Sequence, residues 1–143
     1  MVAYSFKRQF VNPIKAGLGM PIGDPFVPPP KRQTIRARGR RAHAKPGDEL
    51  QLYTGMRTKN CILIGRARCV ESCSILLWFT EGSVAAHING KVLGPRQMKD
   101  FAQADGFKDA LDMAAFWSHE NGTREGDKWE GVLIRWAPIK ASP

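Results

Sequence analysis

The sequence predicts one α+β domain with a mainly antiparallel sheet, and three observations carry that prediction. Segments that alternate polar and apolar residues follow one another between residues 49 and 89, divided by turn residues. After Gly94-Pro95 the spacing of apolar residues becomes helical, and at residues 131–137 an apolar stretch returns to strand character. The 143 residues, 43% of them hydrophobic, suit a single core of ordinary size, so 1–143 is read as one domain.

Near the start, a short extended piece gives way to a short helix on which Phe6, Phe10 and Ile14 recur every four residues, with Pro13 suited to a first helical turn. Residues 18–30 are too rich in Gly and Pro for a regular element and read as a loop, stiffened at Pro28 to Pro30. The turn Pro46-Gly47-Asp48 introduces a strand at 49–54, and a second strand at 61–70 carries Gly65 as a bulge or tight bend. Further strands are expected at 74–80 and 83–89, the latter ending in the tight-turn pair Asn89-Gly90. Two helices near 97–104 and 107–120 break at Asp105-Gly106, and Gly122 ends the second.

The net charge of +9 is local: residues 1–99 carry 17 Lys and Arg against 5 acids, whereas residues 100–143 carry 5 against 8. Seven of the cations fall in residues 31–45, with no acid between Pro25 and Gly47. A surface of this kind concentrates polyanions, so RNA or a nucleotide is the first partner class, against the plain alternative of a solvated face. Most of these cations are arginines, whose planar fork suits phosphate oxygens; Arg32, Arg36, Arg38, Arg40, Arg41 and Lys45 are the candidate nucleic-acid contacts. Among the aromatics, Trp78, Trp117 and Trp136 with Tyr53 could offer stacking surfaces, but Trp78 and Trp136 lie in apolar strands and read as core. Trp129, between Lys128 and Glu130, is the one expected at a surface where it could touch a base.

Other chemistries find little support. Cys61, Cys69 and Cys73 form no CxxC pair and no complete disulfide set, which fits a reducing cytoplasm, with Cys61 and Cys69 read as small buried residues on one strand face. His43, His87 and His119 stand at no metal-ligand spacing, so neither a metal nor another cofactor is expected. No carboxylate pair suggests a two-metal nuclease. Lys7 and Arg8 near the start are followed by no apolar run, and no membrane span or export signal is expected.

Within the basic run, Thr34-Ile35-Arg36 alternates like a short strand, placing Thr34 and Arg36 on one face and Ile35 toward the core. The chain resembles the ASCH family of the PUA-like superfamily. The likeness rests on Ile14-Lys15-Ala16-Gly17, on Lys31-Arg32-Gln33-Thr34-Ile35-Arg36, on Pro46-Gly47-Asp48-Glu49-Leu50-Gln51-Leu52-Tyr53 and on Asp105-Gly106-Phe107, and covers roughly residues 4–137. It implies a small PUA-like β-barrel of five or six mainly antiparallel strands with two or three flanking helices, and a cleft that recognises RNA or nucleotides. In some compact members the resemblance further implies hydrolysis of the acetyl amide of an acetylated cytidine-type nucleoside, which would place Lys31, Thr34 and Asp105 in a catalytic site. Asp105 stands where those enzymes carry Glu, one methylene longer. Chemically, a Thr hydroxyl becomes a nucleophile only with a base, and Lys31 can serve if burial or a cationic neighbour lowers its pKa. An acid can then protonate the leaving amine. The competing reading of Asp105 is an N-cap for the late helix. The charge run favours a binding module, with amide hydrolysis as the alternative.

Overall fold

The computed structural model describes residues 1–139. Among these residues the fold is α+β, with seven strands in one mixed sheet and three helices. Strand β1 (Val2–Phe6) leads through a tight 3-10 turn at Arg8–Phe10 into α1 (Val11–Gly17), which buries Ile14 as its spacing requires. The 18–30 segment is irregular. There follow β2 (Gln33–Arg36), β3 (Glu49–Thr54), β4 (Ile62–Thr80), β5 (Ser83–Ile88) and β6 (Lys91–Val92), then α2 (Pro95–Ala104), α3 (Ala110–Asn121) and β7 (Lys128–Pro138).

The strands expected at 61–70 and 74–80 are one element. Glu71, Ser72 and Cys73 do not interrupt β4, because each continues to pair with β7 beyond a bulge at Val70. This 19-residue strand organises the sheet: its first part pairs with β3, its last part with β5, and β7 runs along its other edge. The β3 register shifts beside Gly65, where a Cβ would lie 2.7 Å from the Leu18 side chain. That bulge resets the alternation, and Cys61, which precedes β4, is exposed while Cys69 is buried. Trp78, expected in the core, lies at the surface. Its neighbours Leu77 and Phe79 point inward, leaving it 39% exposed with the Lys128 ammonium over its ring.

The late helices start elsewhere than their spacing suggests. Asp109 caps α3 by accepting a hydrogen bond from the Asp112 amide at 2.8 Å, so α3 begins at Ala110 rather than near 107. Asp105 therefore closes α2 and is not an N-cap. Gly122, at φ +66°, ends α3 as expected, and Asn89 and Gly90, both at positive φ, form the β5–β6 turn.

The core gathers Ile14, Leu50, Leu52, Leu77, Met113, Leu133 and Ile134, all fully buried, each contributing about 2 kcal/mol of burial. No helix among the described residues is long and apolar enough to cross a membrane.

Strand pairing leaves the sheet open. β1 has a parallel partner in β3, β2 has an antiparallel partner in β7, and among the described residues no backbone pairing joins β1 to β2. The Arg36 guanidinium spans that seam instead, donating from Nη2 to the Ser5 carbonyl at 2.7 Å. The Ser5 carbonyl is thus met by a side chain rather than by the backbone of β2.

Candidate functional site

A cavity of about 360 Å³ opens at this seam. Phe6 of β1, Thr34 and Arg36 of β2, Lys31 just before β2, and Asp105 at the end of α2 all line it. The sequence distance between Lys31 and Asp105 is bridged by main-chain hydrogen bonds: the Lys31 amide donates to the Pro13 carbonyl of α1, and the Arg32 amide to the Ala104 carbonyl of α2, both at 2.9 Å. The Lys31 main chain lies so close to Gly17 that any side chain there would strike the Lys31 carbonyl.

Lys31, Thr34 and Asp105 are 3%, 4% and 5% exposed, which is rare for lysine and aspartate unless they are paired. The Lys31 ammonium donates to the Asp105 main-chain carbonyl and stands 3.6 Å from its carboxylate. It also lies 4.9 Å from the centre of the Phe10 ring and 5.5 Å from that of Phe6. Burial pulls its pKa down to about 8; Asp105 opposes that shift and the Arg36 charge adds to it. Burial pushes the Asp105 carboxyl up, against the opposing pull of Lys31, Gln33 and Arg36. Arg36 lies between Tyr4 and Phe6, 5.2 and 4.9 Å from their ring centres, and donates from Nε to the Thr34 hydroxyl at 2.9 Å. That bond leaves the hydroxyl proton of Thr34 free for another acceptor, and it would stabilise an alkoxide.

Two glycines make room for this arrangement. Gly106 adopts φ +101°, and a Cβ there would lie 2.7 Å from the Phe10 ring and 3.1 Å from Lys31 Cδ. Gly106→Ala is expected to cost about 2 kcal/mol or more and to displace Lys31, a change measurable as a lower urea midpoint. Gly131 lets the Trp129 ring fold back along β7 into the cleft, where it packs edge-on to Trp117 at 4.7 Å between centres.

Of the sequence candidates, Lys31, Thr34, Arg36, Asp105 and Trp129 come together in this cleft. The others do not. Arg32 is exposed and turns to the Gly17 carbonyl. Arg38 donates to the Ser74 hydroxyl on β4; Arg41 and Lys45 border a separate depression beside residues 72–74, and Arg40 is exposed. The chain turns away after Arg36 because His43 is clamped between the Tyr4 hydroxyl and the Ala37 carbonyl, at 3.0 and 2.8 Å.

Sequence reasoning missed three contributors. Gln33, 1% exposed, donates to Asp105 Oδ1 and the Phe101 carbonyl, both at 3.4 Å, and accepts from Arg135 Nε. Its only signal is a polar residue in a strand position that faces inward. Phe10 supplies the ring under Lys31, and Glu120, at the end of α3, faces the cleft in a 2.9 Å ion pair with Lys7. No family model, no curated protein and no solved structure matches the chain.

Proposed function

We propose that the seam cleft binds a nucleotide unit, free or within RNA. One observation carries this reading: a base-sized cavity with aromatic walls from Phe10, Phe107, Phe116 and Trp129 is also lined by the cations Arg36 and Lys31 and the carboxylates Asp105 and Glu120. A planar base with a mixed donor and acceptor edge satisfies both kinds of wall, and the volume falls in the range of small-ligand sites. The excess of cations over the first 99 residues supplies attraction for the phosphate. The finer fold assignment, a PUA-like barrel of the ASCH kind, belongs to the same proposal and is supported by the order of Lys31 to Arg36, Pro46 to Tyr53 and Asp105 to Phe107.

The test is a thermal-shift panel of nucleosides, nucleotides and short RNAs. A ligand at a hundred times its Kd adds about 2.7 kcal/mol, a rise of roughly 5–10 °C for a domain of this size. A panel in which nothing raises Tm would remove the reading.

The lowered pKa of Lys31 favours a second reading, amide hydrolysis on an acetylated cytidine-type nucleoside. With a pKa of about 8, about a tenth of Lys31 is neutral at pH 7, and on this reading it would take the Thr34 proton within the cleft that both line. Thr34 Oγ1 would attack the acetyl carbonyl, Arg36 would hold its developing charge, and Asp105, its pKa raised, would return a proton to the departing exocyclic amine. Water, giving a proton to Asp105, would then attack the acyl-threonine and release acetic acid, and Thr34 Oγ1 would recover its proton through Lys31.

A further inference from the structure

Ser5, Phe6 and Lys7 line the seam cleft and also form one wall of a larger groove, of about 1200 Å³, running between the start of α1 and the β3–β4 connection. Lys7, Arg8 and Lys15 border this groove, and among the described residues no Asp or Glu does. Gln9, Asn12, Thr58 and Asn60 add neutral hydrogen-bonding groups, while Ile62 and Leu63, 59% and 41% exposed, give the opposite wall an apolar surface. Cations and amides on one side with an uncharged face on the other suit a phosphodiester chain with its bases turned inward.

We propose that this groove carries the sugar-phosphate backbone of a single-stranded RNA whose one nucleoside occupies the seam cleft, so that the ligand is a polynucleotide and not a free nucleoside. The inference rests on the base-site reading above and extends it by direction: the strand leaves the cleft past Ser5–Lys7, toward Arg8 and Lys15. The alternative exit, along Arg38, Arg41 and Lys45, has no lining residue in common with the cleft. Lys7 is held by Glu120 across the cleft mouth, which leaves Arg8 and Lys15 as the cations best placed to neutralise phosphates.

The experiment uses the full chain, a fluorescein-labelled single-stranded RNA of about eight nucleotides, and cytidine as the monomeric probe. The double variant Arg8→Ala/Lys15→Ala is expected to weaken RNA binding at least tenfold at low salt. It should also flatten log K against log salt by about 1.4, at about 0.7 per lost contact, with cytidine affinity unchanged. The triple variant Arg38→Ala/Arg40→Ala/Arg41→Ala should keep the wild-type slope. An unchanged slope in the double variant, or loss of slope only in the triple variant, would overturn the assignment. So would equal affinity for a polyglutamate peptide of matching charge, or wild-type protein that binds cytidine as tightly as RNA. Wild-type protein that binds neither probe would sink the base-site reading together with the groove, an outcome distinct from failure of the groove alone.

Discussion

Asp105→Ala is expected to destabilise the protein by about 3–5 kcal/mol, the cost of leaving a buried ammonium without its counter-charge. Lys31 has little water to turn to at 3% exposure, and Gln33 would lose its carboxylate acceptor in the same step. The double variant Lys31→Met/Asp105→Leu should recover most of that loss, because two apolar side chains replace the pair in a setting already walled by Phe6 and Phe10. Urea titrations of the three proteins measure both effects. The pH dependence follows from Lys31 itself. Its pKa lies at about 8 in the folded protein against 10.5 for a free lysine. Between those values the unfolded chain retains a proton that the folded chain has released, so this group makes stability rise with pH from about 8 to 10.5. Below pH 8 the whole penalty, about 3 kcal/mol, is present. The rise should be missing from Lys31→Met when the two proteins are compared across that range.

Thr34→Ala is expected to leave the urea midpoint within about 1 kcal/mol of wild type while removing the hydroxyl that Arg36 orients. On the amide-hydrolysis reading, kcat for an acetylated cytidine falls by roughly a thousandfold or more, Thr34→Ser retains measurable turnover, and wild-type activity climbs toward pH 8 as Lys31 loses its proton. On the binding reading, Thr34→Ala weakens nucleotide affinity by only about tenfold, the worth of one hydrogen bond to a charged or polar partner. Turnover and affinity measured on the same preparation separate the two.

Local signals carried much of the fold. Alternation located β3 and β5, Asn89-Gly90 fixed a hairpin, and Gly122 ended α3, because each depends on the conformational preference of a few neighbouring residues. The continuity of β4 was not legible, since Glu71, Ser72 and Cys73 look like a break and are held in strand form only by β7, more than fifty residues away. The site divides in the same way. Thr34 and Arg36 share a face by strand period alone, but the role of Gln33 and the access of Trp129 through Gly131 depend on α2 and β7 arriving beside them. The basic run was visible as charge, yet nothing in its composition showed that the chain turns at Arg36 and sends Arg38, Arg40 and Arg41 away from the cleft. That turn depends on Tyr4 and His43 meeting across 39 residues.

On the nucleotide-binding proposal, a nucleoside sits at the unpaired seam between β1 and β2. Amide chemical-shift mapping of the isotope-labelled protein during a cytidine titration tests it most directly. The largest shifts are expected on Ser5 to Lys7, Thr34 to Arg36 and Asp105 to Phe107, with the indole of Trp129 moving alongside them. Shifts confined to residues 38–45 and 72–74, with the seam amides unmoved at saturation, would contradict it.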